Sequence, residues 1–310
     1  SISLDNQNNI GAGARQSIAL HPDGNLTAWG QNIWNESTLP WHLQPEQNPD
    51  VVAISAGLYH NLALQSYGGI SSWGADGGYP PDDISSAIDI VSISAGEQHN
   101  LVLHSNGTVS AWGDDEFGQS TVPDDLWGVT AVSAGAMHSL ALRFDGTVRT
   151  WGMDEYYDDD NDQYYGLTVP DDLSDVVAIS AAGSSNLVLH SNGTVTGWGY
   201  NYGTNNGVVV PDDLSDVVAI STSGVYNLAL HSDGTVTGWG ADYNGEFVVP
   251  ENLASVAAVD VSGGLAIALH YDGTLTIWGS EGECYDDGDI LPQCDVPENL
   301  ETVLVYCDEN

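Results

Sequence analysis

The sequence predicts an all-β fold: a seven-bladed β-propeller that forms one domain over residues 1–310. Two observations support this prediction. A Trp-Gly pair recurs seven times, and every copy lies among short apolar runs that are separated by turn residues. The pairs start at Trp29, Trp73, Trp112, Trp151, Trp198, Trp239 and Trp278, with spacings of 39 to 47 residues. This period is typical of one propeller blade of four strands.

Each unit repeats the same order of predicted elements. A β-branched run such as residues 51–56 predicts a first strand, and residues 61–64 predict a second. A pair such as Asn106-Gly107 follows, and such pairs favour two-residue hairpin turns because both positions take positive φ. Residues 108–112 then alternate as a third strand. The later Val122-Pro123 step belongs at the edge or end of a strand, because proline has no N–H to donate.

The C-terminal segment is predicted to close the ring. Later units begin with an apolar strand such as residues 217–220, whereas polar residues 6–9 precede Ile10 in the first unit. Residues 302–306 (Thr-Val-Leu-Val-Tyr) have the pattern of the missing strand. We therefore expect residues 301–310 to complete blade one.

The repeated residues resemble a known family. The pattern Ala-Gly-x-x-His-x-Leu-Ala-Leu, followed by Asp-Gly-Thr-Val and Trp-Gly, resembles the RCC1 repeat and extends from about Ile10 to the C-terminus. The histidine of this pattern is replaced by Gln16, Ser185, Tyr226 and Leu265 in four units. Blade length and the Trp-Gly…Val-Pro rhythm are similar to secreted bacterial members, including the propeller that inhibits β-lactamases. The resemblance does not extend to nucleosome contact, which needs basic loops.

The charge balance restricts the partners. The chain has 44 acidic residues and three cations, Arg15, Arg143 and Arg149, for a net charge of −41. Such a surface repels nucleic acid and anionic lipid, and no apolar run is long enough for membrane insertion. Solubility in a saline medium is the favoured reason for the acidity. Because the sequence starts with Ser1, we expect a leader to have been removed and the protein to be extracellular or on the cell surface.

No catalytic motif is found, so the chain is predicted not to be an enzyme. Acidic pairs such as Asp124-Asp125 and Asp171-Asp172 follow the Val-Pro step in successive units, which favours a scaffold role. His60, His99 and His138 share one position of the repeat, and we expect them to bond the backbone of a neighbouring strand instead of a metal.

The candidate site lies in the loops that differ between units. Function on a repeated scaffold concentrates in such loops, and tyrosine and tryptophan are favoured at binding hot spots. The predicted partner-binding residues are Trp34, Phe117, Tyr156, Tyr157, Tyr164, Tyr165, Tyr200, Tyr202 and Tyr243. The favoured function is an exported, non-catalytic propeller that binds another protein through this acidic, aromatic-rich loop rim.

Metal binding and covalent links remain open alternatives. Asp158, Asp160 and Asp162 resemble the start of a calcium loop, but the missing glycine and terminal glutamate exclude an EF-hand. No cofactor is required, and Ca²⁺ is the one candidate. Cys284 and Cys294 bracket a loop and suggest a disulfide, although Cys307 leaves three pairings open.

Two other functions are consistent with the sequence. One is a structural or self-assembling surface protein in which calcium bridges the acidic loops of different copies. The less favoured one is a polysaccharide-cleaving enzyme, for which no catalytic constellation is found.

Overall fold

The computed structural model describes residues 9–14, 16–75, 79–158, 163–201, 206–240 and 248–279, together with the backbone of 285–286, 289–290 and 303–306. Strands dominate these residues. The helical elements among them are short: α1 (Asp82–Ser85) and two 3-10 turns, Trp41–Leu43 and Pro45–Gln47. No helix in these ranges is long and apolar enough to span a membrane. An all-β fold is therefore confirmed.

One antiparallel three-stranded sheet recurs along the chain, with its second strand in the centre. The first four sheets are β1 (Ile10–Ala12), β2 (Gln16–Leu20) and β3 (Leu26–Gly30); β4 (Val51–Ala56), β5 (His60–Gln65) and β6 (Ile70–Gly74); β7 (Ile90–Ala95), β8 (His99–His104) and β9 (Val109–Gly113); and β10 (Val129–Ala134), β11 (His138–Arg143) and β12 (Val148–Gly152). A separate hairpin, β13 (Glu155–Asp158) and β14 (Gln163–Gly166), follows the fourth sheet.

The later units follow the same plan, and two of them gain a fourth strand. They comprise β15 (Val176–Ala182), β16 (Ser185–His190), β17 (Val195–Asn201) and β18 (Asn206–Gly207); β19 (Val217–Thr222), β20 (Tyr226–His231) and β21 (Val236–Gly240); and β22 (Val256–Ser262), β23 (Leu265–His270) and β24 (Leu275–Gly279). β25 (Tyr285–Asp286) pairs with β26 (Asp289–Ile290), and β27 (Val303–Tyr306) joins the sheet of β24.

Local sequence explains the turns of each sheet. Asn106 Oδ1 accepts the backbone N–H of Thr108 at 2.9 Å, which fixes the hairpin between β8 and β9. Only Gly107 of the Asn106-Gly107 pair has positive φ, at +81°, so the expectation of two positive φ angles was wrong. The N–H of Gly107 donates to the carbonyl of His104 and closes the turn one residue earlier.

The glycine of the Trp-Gly pair has a different role: Gly113 has φ +110°, and a Cβ there would lie 2.5 Å from the carbonyl oxygen of Gln98. The end of the third strand can therefore approach the turn before the second strand only when the residue is glycine.

The Val-Pro steps differ from the expectation of a fourth strand. Among the described residues, Val122-Pro123, Val169-Pro170 and Val210-Pro211 lie outside strands, and most sheets have three strands. Proline removes a ladder donor and restricts the residue before it, so these segments connect one sheet to the next without pairing.

The core lies between neighbouring sheets. Each hydrophobic cluster combines residues of two consecutive units, as where Ile18 of β2 packs with Ile54 of β4 and Trp73 of β6. The first and last units share such a cluster, in which Ile10 of β1 packs with Ile267 of β23. Each of these isoleucines is buried. The strand β1 thus contacts both β4 and β22.

The prediction that the C-terminal segment completes blade one was wrong in its location. β27 pairs in parallel with β24, with Val303 opposite Leu275 and Tyr306 opposite Trp278. Ile10–Ala12 already supplies the first strand of the first sheet, pairing with β2. The apolar C-terminal strand therefore adds to the open edge of the last sheet.

A repeated hydrogen bond joins the first strands of consecutive sheets. A serine hydroxyl in one sheet accepts a backbone N–H of the next at 2.9–3.2 Å, in the pairs Ser55–Ala95, Ser94–Ala134, Ser133–Ala181, Ser180–Thr222 and Ser221–Val261. The seventh sheet has Asp260 at this position, and its Oδ2 accepts the N–H of Ala12 in the first sheet at 2.8 Å. Asp260 Oδ1 also accepts the hydroxyl of Ser221 at 2.8 Å.

The repeated histidines bond side chains of the following sheet. The pairs are His60–Asn100 (2.7 Å), His99–Ser139 (2.9 Å) and His138–Asn186 (2.7 Å), all through Nε2. Burial lowers the pKa of all three histidines, and it lowers those of His99 and His138 to about 4. The structural role is confirmed, but the partner is a side chain of the next sheet and not a strand backbone.

Candidate partner-binding rim

The loops that follow three of the Trp-Gly pairs carry six of the nine predicted aromatic residues, and we call their described parts the rim (residues 31–38, 114–121, 153–158 and 163–167). Their exposure varies. Trp34, Phe117, Tyr157 and Tyr164 are exposed, with 39–61% of their surface accessible, whereas Tyr165 and Tyr200 are buried. Tyr156 is intermediate. Tyr202 and Tyr243 lie outside the described residues.

A buried glutamate holds Trp34 at the tip of the first rim turn. Glu36 is 1% exposed, and its carboxylate accepts the backbone N–H of Trp34 at 2.6 Å. The hydroxyl of Ser37 closes the same turn by donating to the carbonyl of Gln31 at 2.6 Å. The exposed indole therefore projects from a fixed backbone.

The turn that carries Phe117 is built in the same way. Gln119 is fully buried, and its Oε1 accepts the backbone N–H of Phe117 at 2.9 Å. Its Nε2 donates to Asp114 at 2.7 Å, and the hydroxyl of Ser120 donates to the Asp114 carbonyl at 2.7 Å. Glu36 and Gln119 thus occupy equivalent places, each two residues after an exposed aromatic residue.

In each case a tryptophan of the next sheet bonds the backbone of the turn. The indole N–H of Trp73 donates to the carbonyl of Glu36 at 2.9 Å, and that of Trp151 donates to the carbonyl of Gln119 at 3.0 Å. The buried tryptophan of each Trp-Gly pair therefore packs in the core and also anchors the preceding rim turn.

Replacing Gln119 by alanine is expected to lower the free energy of unfolding by about 1–3 kcal/mol, because the N–H of Phe117 and the Asp114 carboxylate lose their partner. Urea unfolding at neutral pH measures the change. Thr121→Ala is the matched control, since it removes only a surface hydroxyl bond to Asp115 and should change stability by less than about 1 kcal/mol. Equal effects of the two substitutions would refute the anchoring role.

The tyrosine hairpin has one inward and one outward face. Tyr156 and Tyr165 are paired across β13 and β14, and both rings contact Tyr200 at centroid distances of 4.6 and 4.7 Å. The next pair, Tyr157 and Tyr164, lies on the other face with centroids 4.6 Å apart. Side chains alternate along a strand, so the first pair covers β17 and the second is exposed to solvent.

A groove beside Trp34 enlarges the exposed aromatic surface. A cavity of about 410 Å³ is lined by residues that include Ile33, Trp34, Trp73 and Tyr79. Ile33 is 65% exposed and Tyr79 is 87% exposed. Sequence reasoning did not select these two residues. The signal for Tyr79 was its place between Gly77-Gly78 and Pro80-Pro81 in the connection after Trp73-Gly74.

The rim is acidic as well as aromatic. Asp115, Glu116, Asp154 and Glu155 are exposed in its turns. The described cations, Arg143 and Arg149, lie in β11 and β12 outside the rim loops. The rim can therefore offer carboxylates and rigid aromatic rings to a partner.

The predicted calcium and disulfide sites lie largely outside the residues that the structure describes. Asp160, Asp162, Cys284 and Cys294 lie beyond the described residues, and Asp158 ends β13. Within the described ranges, no group of three His, Cys, Asp or Glu side chains is placed to hold a metal ion. The calcium site and the disulfide remain predictions.

Sequence comparison identifies the repeat. Residues 90–119 and 129–157 match the regulator of chromosome condensation (RCC1) repeat. A comparison with curated protein sequences found no match.

Solved structures with the same fold include RCC1-type propellers. Prp20p of Saccharomyces cerevisiae has a TM-score of 0.58 at 19% identity, with 74% of this chain and 71% of that chain covered. The ectodomain of the receptor kinase CR4 from Physcomitrella patens has 0.68 at 18%, covering 88% and 74%. The CRINKLY ectodomain of ACR4 from Arabidopsis thaliana has 0.66 at 17%, covering 91% and 96%. At these identities the likeness shows the fold alone.

The repeat and the fold together define the class of protein. It is an all-β protein with the β-propeller fold. The resemblance to RCC1-repeat β-propellers is confirmed by the two matched repeats and by the Prp20p structure. The finer similarity to secreted bacterial members remains an expectation.

Proposed function

We propose that the protein is an exported, non-catalytic recognition propeller whose rim binds another protein. The observation that carries this proposal is the pair of rim turns in which buried Glu36 and Gln119 hold Trp34 and Phe117 exposed. Rigid aromatic groups bind with little loss of conformational entropy, because they are already ordered before the partner arrives. The structure of Prp20p was described together with its binding to Gsp1p and histones, so the same fold serves protein recognition elsewhere.

The scaffold of the proposal is a closed ring of seven blades. Two observations support closure. The contacts between first strands run from β1 through β4, β7, β10, β15, β19 and β22 and return to β1. Asp260 of the last sheet accepts the N–H of Ala12 in the first, where five other sheets use a serine for the same link. A closed ring leaves the loops at its two ends as the surfaces that can differ in function.

The shifted pKa values favour binding over catalysis. Burial lowers the pKa of His60, His99 and His138, and each of these rings bonds a side chain of the next sheet. Burial raises the pKa of Asp260, which links the first and last sheets. Perturbed groups mark catalytic sites when they converge on a cleft, whereas these belong to contacts between sheets.

The proposed location is extracellular, and the proposed partner is a protein. A net charge of −41 keeps a protein soluble at high ionic strength and opposes contact with nucleic acid. The acidic rim favours a partner that presents basic side chains beside an apolar surface, because both features would be complemented there.

The test compares partner capture by rim variants. Immobilised protein would capture binding proteins from the native medium, and the affinity of the captured partner would then be measured. Tyr157→Ala with Tyr164→Ala, and separately Trp34→Ala with Phe117→Ala, are expected to weaken binding by about 30-fold or more, as hot-spot losses do. The reason is that these substitutions remove the exposed rings without touching the buried Tyr165 and Tyr200.

Tyr271→Ala is the matched control. Tyr271 is 58% exposed in the hairpin between β23 and β24, at the opposite end of the strands from the rim. Its loss should leave affinity unchanged. The rim proposal fails if the rim variants bind as the unsubstituted protein does, or if Tyr271→Ala weakens binding as much as they do.

A further inference from the structure

One hydrogen-bonded pair recurs in the sheets, between the end of the second strand and the middle of the third. It links His21–Thr27, Gln65–Ser71, His104–Ser110, His190–Thr196, His231–Thr237 and His270–Thr276 at 2.7–3.2 Å. In the fourth sheet both places are taken by arginine, Arg143 and Arg149. These are the cations of the described residues, so the cations lie where six other units have a neutral pair.

Two aromatic residues accompany the arginines. Trp127 is 55% exposed and Phe144 is 67% exposed, and their ring centroids lie 5.6 Å apart. The Arg143 guanidinium lies 5.6 Å from the centre of the Trp127 ring. The places of Trp127 and Phe144 are taken by serine in the fifth and sixth sheets: Ser174 and Ser191, and Ser215 and Ser232. We call Trp127, Arg143, Phe144 and Arg149 the blade-four cluster.

The cluster is not explained by the stability of its own sheet. Two arginines replace a satisfied hydrogen bond, and like charges at neighbouring positions are unfavourable. Arg149 has a loose contact with exposed Asp125, at 3.7 Å, and such surface pairs contribute little. Arg143 Nε is buried with no hydrogen-bond partner among the described residues. Arginine and tryptophan are the residue types most enriched at binding hot spots.

We propose that the blade-four cluster docks the acidic rim of a second copy of this chain. A second copy is the expected partner because its charge is complementary to that of the cluster. A chain of net charge −41 offers carboxylates over its surface, and the blade-four cluster is where its described residues offer positive charge. The exposed Asp154 and Glu155 of the rim, beside the Tyr157–Tyr164 pair, match two guanidinium groups flanked by aromatic rings.

The topology makes the contact head-to-tail. Phe144 lies in the hairpin before β12, and the rim hairpin begins after β12, so the two surfaces lie at opposite ends of that strand. A contact between different surfaces at opposite ends gives an open series, or a ring if the rotation closes, and not a two-fold symmetric dimer. The repulsion between two chains of net charge −41 acts over longer distances than the close ion pairs between cluster and rim. A fall in the Debye length from about 30 Å at 0.01 M to about 8 Å at 0.15 M therefore weakens the repulsion more than it weakens those pairs.

Sedimentation velocity over a concentration series tests the proposal. At about 0.15 M salt the protein is expected to sediment as species larger than one chain. Arg143→His with Arg149→Thr restores the pair of the fifth and sixth sheets, so it keeps the fold while self-association is lost. Arg15→Gln is the control, because it removes one cation outside the cluster and should leave association intact. A melting curve confirms that each variant is folded.

Complementation distinguishes head-to-tail docking from other contacts. The cluster variant keeps its acidic rim, whereas a rim variant, Asp154→Asn with Glu155→Gln, keeps its cluster. Each variant alone should be monomeric. A mixture of the two should form one-to-one pairs and nothing larger, because each pair has no further cluster and rim that can dock. A monomeric unsubstituted protein at every salt and concentration overturns the proposal, as does a folded cluster variant that still associates. The cluster variant is expected to capture a rim partner at least as well as the unsubstituted protein, because its rim is no longer occupied by a second copy. Loss of self-association with retained capture separates this proposal from the proposed function.

Discussion

Replacing Asp260 by alanine is expected to reduce the free energy of unfolding by about 3 kcal/mol. The change leaves the N–H of Ala12 and the hydroxyl of Ser221 without their acceptor, and unmet buried groups cost about 1–3 kcal/mol each. The link matters because the first and last sheets are separated by nearly the whole sequence, so no short connection holds them together. Denaturant unfolding measures the loss, and amide hydrogen exchange at Ala12 should become faster.

Ser94→Ala is the matched control for this prediction. It removes the same type of bond, from the N–H of Ala134, between two sheets that the chain connects directly. It should cost about 1 kcal/mol and leave exchange at Ala12 unchanged. Asp260→Ser supplies the residue used by five other sheets, and its loss of unfolding free energy should lie between those of Asp260→Ala and Ser94→Ala. If Asp260→Ala costs no more than Ser94→Ala, Asp260 does not have the closing role proposed for it.

The sequence was most informative at positions where every unit repeats the same residues for the same structural reason. Asn106-Gly107 predicted a hairpin, and one forms there, held by Asn106 Oδ1. The expected turn type was wrong, because Gly107 has positive φ and Asn106 does not. The Trp-Gly pairs predicted the repeat period. Burial of Trp151 and its bond to Gln119 explain the tryptophan, and the close approach of Gly152 to the carbonyl of Met137 explains the glycine. A single short apolar run does not distinguish a strand from a buried helix segment, but the same run in seven units favours one assignment for all of them.

Residues whose role depends on distant partners were not recognised. Asp260 is one of 44 acidic residues, and only the contact with Ala12, 248 positions away, distinguishes it. The assignment of residues 302–306 failed for the same reason, since an apolar strand pattern does not say which open edge it will join.

The candidate site could be predicted as a set of loops but not as a surface. Tyr156, Tyr157, Tyr164 and Tyr165 look alike in sequence, and the register of β13 on β14 decides which of them pack on Tyr200. A shift of one residue would exchange the two faces. The division between available and buried rings therefore depends on a hairpin register that composition does not encode.

Replacing His99 and His138 by glutamine is expected to flatten the pH dependence of stability between about pH 6.5 and pH 4. Burial lowers the pKa of both rings to about 4, whereas an unfolded histidine titrates near 6.5. In this window the unfolded chain binds protons that the folded chain does not, so the free energy of unfolding falls as the pH is lowered. The loss approaches about 3 kcal/mol for each histidine at the lower end.

Glutamine is the suitable replacement because the first sheet already uses it. Gln16 occupies the histidine position there and donates to the carbonyl of Gly57 at 3.0 Å, which is also a bond to the next sheet. Urea unfolding of both proteins at steps from pH 8 to pH 4 isolates the two histidines, because the carboxylates titrate alike in each. The difference in unfolding free energy should stay constant above about pH 7 and shift in favour of the variant below it. A difference that stays constant down to pH 4 would mean that these rings accept protons in the folded protein as readily as in the unfolded chain, and the bonds between sheets would then not require neutral histidine.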